Sequence, residues 1–179
     1  MDMVKAKKEI LVIGLILLMI LALIGVSYAA YTYTGLGTKV NTITTGSITM
    51  TYTESSNTIS LTGALPTTDK TGKVRLNSGE YFDFTVSSKI TGNVNINYEI
   101  SAKKESGTLE DKYIKLYLTR VREDGTEEEL MSPEIYNEEA SSNSYTGRPS
   151  GEMSLYTSSM SSSESNTYRL RMYVVSTIL

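Results

Sequence analysis

The chain has 179 residues, with 17 basic and 20 acidic side chains and no Cys, His or Trp. Without His, a Ser-His-Asp or Cys-His nucleophile and an HExxH metal site are excluded; without Cys, so is a disulfide framework. A net charge of −3 argues against nucleic acid as a partner, because neutralising phosphates needs a basic stripe.

Lys5, Lys7 and Lys8 stand before an apolar run, Ile10 to Ala30. A basic flank, an apolar core and a small-residue exit read as a secretory signal peptide. Ser27-Tyr28-Ala29 fits the small-x-small exit, which puts cleavage between Ala29 and Ala30. The core from Ile10 to Val26 is longer than the ~7 to 15 residues of a signal core and shorter than the ~20 of a spanning helix. A retained membrane anchor is therefore the competing reading. The lysines favour a cytoplasmic N-terminus in both cases, so both export Tyr31 to Leu179. Residues 1–29 are expected to be leader or anchor, 30–42 a mobile N-terminal segment, and 43–179 a single β domain.

After the leader, Tyr31 to Asn41 alternates Tyr and Thr and is interrupted by Gly35-Leu36-Gly37. Ile43 to Thr53 alternates, with Ile48, Met50 and Tyr52 on one face and threonines on the other, as a half-buried strand does. Asn57 to Thr62 repeats the pattern with Ile59 and Leu61, and Gly63 to Lys73 reads as loop. Glu80 to Ser88 points Phe82, Phe84 and Val86 inward. Lys89-Ile90-Thr91-Gly92 reads as a hairpin connection to Thr91–Lys103, where Val94, Ile96, Tyr98 and Ile100 alternate with polar residues. Lys112 to Arg122 sets Ile114, Leu116 and Leu118 against Tyr113, Lys115 and Tyr117. Asp124-Gly125 then marks a hairpin into a short return strand, Glu127 to Leu130. Glu134 to Ala140 fits one or two helical turns. Glu152 to Ser159 and Thr167 to Val175 are the last strands, with the low-complexity loop Ser158–Ser165 between them. Tyr168, Leu170, Met172 and Val174 face inward, and Arg169, Arg171 and Tyr173 outward. Short strands separated by turn signals, with no sustained helix after the leader, indicate a mainly β antiparallel sandwich or barrel.

The chain stops at Ser176-Thr177-Ile178-Leu179, directly after a strong strand. This fits either an incomplete product or a sheet completed by another subunit, since a missing strand exposes an edge.

Two clusters carry possible chemistry. Glu123, Asp124, Glu127, Glu128 and Glu129, with Glu134, Glu138 and Glu139 further on, raise a calcium loop, but their spacing lacks the alternating ligands around a Gly turn. The alternative is solvated charge at a hairpin tip. Tyr113 and Tyr117 flank Lys115 and would form a sugar-stacking row, or else cross-strand pairs in which Tyr is favoured. No catalytic residue, cofactor site or metal site is selected.

The order of parts has a further meaning. A Lys-flanked leader ends in Tyr-Ala-Ala-Tyr and Thr44-Thr45-Gly46-Ser47-Ile48 follows. Then come a strand with Ile59 and Leu61, a loop with Pro66, the aromatic strand Tyr81-Phe82-Asp83-Phe84-Thr85-Val86, and Gly92-Asn93-Val94-Asn95-Ile96. Over Lys5 to Lys103 this resembles the TasA/camelysin family of exported bacterial proteins. The resemblance implies a leader removed by a dedicated signal peptidase, a jelly-roll-like sandwich, and a structural role in fibres of the extracellular biofilm matrix. It further implies that the freed N-terminal segment of one subunit, here Ala30 to Asn41 with Tyr31, Tyr33, Leu36 and Val40, completes the sheet of the next. Proteolysis described for camelysin-type members is not carried over, since His is absent. The competing function is a cell-surface binding module or adhesin, with carbohydrate as one possible ligand.

Overall fold

The computed structural model describes residues 13–17, 40–45, 48–55, 59–105, 107–140 and 148–175. Residues 13–17 are helical and exposed. Among the described residues, no helix is long and apolar enough to cross a membrane. Ser27, Ala29, Ala30, Tyr31, Tyr33 and Leu36 lie outside the described residues, as do Ser176 to Leu179.

Alternation builds the domain. In β3 (Tyr81–Ile90), Phe84, Val86 and Ser88 are buried while the residues between them are not. The same period-two pattern buries Tyr98 and Ile100 of β4 (Ile96–Ala102) and Met153 and Leu155 of β7 (Met153–Met160). β8 (Glu164–Val174) sends Tyr168, Leu170, Met172 and Val174 to one face, as its sequence predicts. The remaining strands are β1 (Val40–Thr45), β2 (Ile48–Glu54), β5 (Ile114–Val121) and β6 (Glu127–Ile135).

These strands make two antiparallel sheets, one in the order β1-β2-β3-β8-β5-β6 and one of β4 and β7 alone. Both sheets supply one core, in which Phe84, Leu116, Leu118 and Tyr168 of the first meet Tyr98, Ile100, Leu155 and Met160 of the second. The hydroxyls of Tyr98 and Tyr168 hydrogen-bond to each other across the layers, so neither buried polar tip is left unpaired. Tyr52, Phe84 and Tyr168 run across three strands with ring centroids 5.6 and 5.4 Å apart. Such contacts contribute roughly 0.5–1.5 kcal/mol each beyond burial.

Several expectations change. The stretch read as one strand from Ile43 is a hairpin, with Thr45 opposite Ile48 and Val40 opposite Thr53. Residues 40–42, assigned to a mobile segment, therefore belong to the sheet. Residues 59–62 form no strand. Lys89 to Gly92 does not close a hairpin, because β3 and β4 lie in different sheets. Residues 134–140 contain no helix: β6 runs on to Ile135, and Glu139 forms a single antiparallel bridge with Glu152. The loop read at Ser158–Ser165 shortens to a bend at 161–163.

The connection between β2 and β3 crosses the outer face of the larger sheet. Thr67 N–H donates to the Val174 carbonyl at 2.8 Å. Thr68 caps the one-turn helix Asp69–Gly72, accepting from Thr71 N–H. Asp69 accepts from Lys115 at 2.9 and 3.0 Å and from the Tyr173 hydroxyl at 3.0 Å. Gly72 lies flat on the Tyr173 ring: a Cβ there would stand 2.5 Å from it, so only Gly lets the connection come this close.

Candidate assembly surface

The two clusters singled out from sequence are both occupied by the protein itself. Tyr117 is 7% exposed rather than open to a sugar. Lys73 sits 5.0 Å above its ring and Arg171 lies 5.9 Å from it, beneath the β2–β3 connection. Arg171 and Tyr173 do point away from the core, but they are 2% and 0% exposed because that connection covers them. Arg171 also donates to the Arg75 carbonyl at 2.8 Å.

Four residues of the acidic run, Asp124, Glu127, Glu128 and Glu129, have partners within the chain. Glu127 accepts from Arg171 at 2.6 and 2.7 Å, from Arg169 at 2.9 Å and from Thr119 at 2.7 Å. These donors, Arg171 foremost, pull its carboxyl down to about 2. Glu128 is held by Arg120 and Arg122, and Glu129 by Lys73. Asp124 accepts from Thr126 within the turn, where Gly125 takes φ 81°. Among the described residues, no three carboxylates are grouped to hold a metal ion.

Sequence reasoning missed a second ionic centre. Arg148 is buried, and its guanidinium reaches Glu99 of β4 at 2.9 Å, Glu139 at 2.9 Å and the Glu152 carbonyl at 2.6 Å. It fastens the Glu139–Glu152 bridge to the smaller sheet. A lone Arg beside Pro149 gives no periodic signal, so pattern reading could not find it.

What remains open is strand edge. β6, one edge of the larger sheet, is guarded three ways. It contains Pro133, which offers no N–H. Its pairing with β5 shifts register twice: Ser132 and Pro133 stand where β5 has only Tyr117, and Leu130 is extra between Met131 and Glu129. It also carries Glu127, Glu128, Glu129 and Glu134. Proline, bulges and charge are devices that blunt an edge against pairing. β1, the opposite edge among the described strands, reads VNTITT, with neither proline nor charge, and its pairing with β2 is regular along its whole length. Val40, expected to belong to a free donor segment, is the first residue of this strand.

The smaller sheet is also open. The Glu139 bridge continues past β7 at Glu152, whereas no described strand pairs with the outer edge of β4. A layer of two strands faces a layer of six. Met50, Tyr52, Phe82 and Ile90 accordingly stay half-buried at the margin of the core. Compared with protein-family models, curated proteins and solved structures, the chain has no match.

Proposed function

We propose that this protein is an exported structural subunit of a bacterial cell surface or biofilm matrix that assembles into fibres by strand donation. The observation that carries this reading is the imbalance of the layers: two strands cover six, and the half-buried Met50, Tyr52 and Ile90 lie where a further strand would shelter them. A strand added beside β4 would gain main-chain hydrogen bonds and bury alternate side chains. Tyr31, Tyr33 and Leu36 of a neighbouring copy supply such a strand in this reading. Head-to-tail donation does not close on itself, so it makes filaments. The pairings β3–β8, β4–β7 and β5–β6 nest like a long hairpin rolled up, which supports the jelly-roll-like architecture. The leader, residues 1–29, delivers the domain outside the cell and is cut by a signal peptidase between Ala29 and Ala30, or else holds it at the membrane. Self-association and other matrix proteins are the partners in this reading, and the role needs no cofactor.

The test compares a chain beginning at Ala30 with one beginning at Val40, which keeps β1 whole. Electron microscopy should show filaments from the first and none from the second. Stable monomers from both would overturn the fibre reading and favour a surface binding module.

A further inference from the structure

We infer that the β1 edge is a contact between two copies of this chain, paired antiparallel about a two-fold axis. The inference does not depend on strand donation, which concerns the smaller sheet. It starts from what self-pairing demands. A two-fold axis brings a strand against itself in reverse, so a strand that bears several like charges sets them close to their own copies, and like charges directly opposite are destabilising. β6, with its four glutamates, is poorly made for that. β1 carries no charge, no proline and no bulge. An edge of this kind offers a row of free N–H and C=O groups, and main-chain bonds need no particular side chain to form.

The register is constrained as well. A two-fold axis normal to the sheet keeps the core-facing side of both copies on one side. Residues standing opposite one another must then be separated by an even number of positions. The register with the axis at Thr42 sets Thr42 against Thr42 of the second copy. Thr42 is exposed and stands opposite Thr51, which in turn stands opposite Ser87, and Ser87 opposite Ser165. The hydroxyl row on the outer face thus continues across the junction without meeting an apolar or charged side chain. The contact joins two six-stranded sheets edge to edge and leaves β4 free. If subunits are also joined by donation, it ties two filaments side by side.

The absence of Cys makes the test clean, because one introduced thiol can form a disulfide only between chains. The full chain would carry Thr42→Cys, Thr53→Cys or Ser132→Cys, at exposed positions on the β1 edge, one strand further in, and on β6. Each would be oxidised mildly and the covalent dimer measured. The expected result is severalfold more dimer from Thr42→Cys than from either of the others, abolished when Thr44→Lys is added. Equal yields from all three would overturn the inference, as would a maximum at Thr53→Cys, which marks contact through the sheet face, or at Ser132→Cys. Filaments without the Thr42→Cys cross-link would sink this contact and leave strand donation standing. The cross-link without filaments would do the reverse.

Discussion

The two edges of one sheet are treated in opposite ways. At the β6 side, ion pairs, a proline and two register shifts leave little that another strand can join, and the β2–β3 connection is fastened over the outer face by Asp69, Lys73 and Arg75. At the β1 side, the outer face of β2 and of residues 85–89 in β3 is Thr and Ser apart from Lys89, which stands opposite Thr49, and no residue of β2 is fully buried. The Thr85 and Thr167 hydroxyls lie 3.1 Å apart and those of Ser87 and Ser165 2.9 Å apart, which are modest neutral bonds. The sheet gathers its ion pairs at one end; in the proposal above, that end is closed and the other is joinable. The predictions that follow probe whether stability and joining are separated in that way.

The largest effect is expected at Arg171. It is 2% exposed, and removing one partner of a buried ion pair costs roughly 3–5 kcal/mol, because the other charge is left behind. Glu127 keeps Arg169 and Thr119 as donors, which places Arg171→Met near the lower end of that range. Urea unfolding measures it. A loss under about 1 kcal/mol, the usual cost of an ordinary substitution, would mean that main-chain bonds rather than charge anchor the covered side.

Acid should separate the two sides next. The Glu127 carboxyl is depressed to about 2, chiefly by Arg171, while Lys115 lowers that of Asp69 and Lys73 that of Glu129. A carboxyl with a depressed folded pKa contributes stability above its ordinary range, and that stability is lost as pH falls toward the folded value. Between pH ~4.5 and ~2, then, amides of β5, β6 and residues 67–76 should lose hydrogen-exchange protection before those of β2 and its partner residues 85–90 in β3. Simultaneous loss in both would show that the charged layer is no separate anchor.

Much of this was legible in the sequence, and the failures share a cause. Strand faces follow from period two, so Phe84, Tyr98, Leu116 and Tyr168 are inward as expected. The hairpin at Thr45 and Ile48 was hidden because ITTGSITMTYT alternates almost without a break, although Gly-Ser between β-branched residues is itself a hairpin signal. Residues 59–62 alternate as well, but alternation does not provide a ladder partner. Burial of Tyr117, Arg171 and Tyr173 depends on a connection whose anchor, Asp69, is 104 positions from Tyr173, a pairing no local pattern carries. The edges were not legible for the same reason: whether VNTITT lies at a margin depends on what pairs beside it, which topology decides.

The smallest effect is expected at Pro133, and it bears most directly on the closed side. Pro133 sits within a bulge, where Ser132 and Pro133 oppose Tyr117 alone. Restoring an N–H there adds no ladder bond within the sheet, so Pro133→Thr should alter stability by no more than ~0.5 kcal/mol. If the three guards are redundant, the substitution should also leave β6 unjoined, because both register shifts and the glutamates remain. The Ser132→Cys cross-link, measured with Pro133 and with Pro133→Thr, reads this directly. An unchanged low yield means that the bent, acidic edge excludes a partner by itself and the proline is a supplement. A yield rising to that of Thr42→Cys would mean that one missing N–H separates the closed side from the joinable one, and that the bulges serve only to fit β6 around Tyr117.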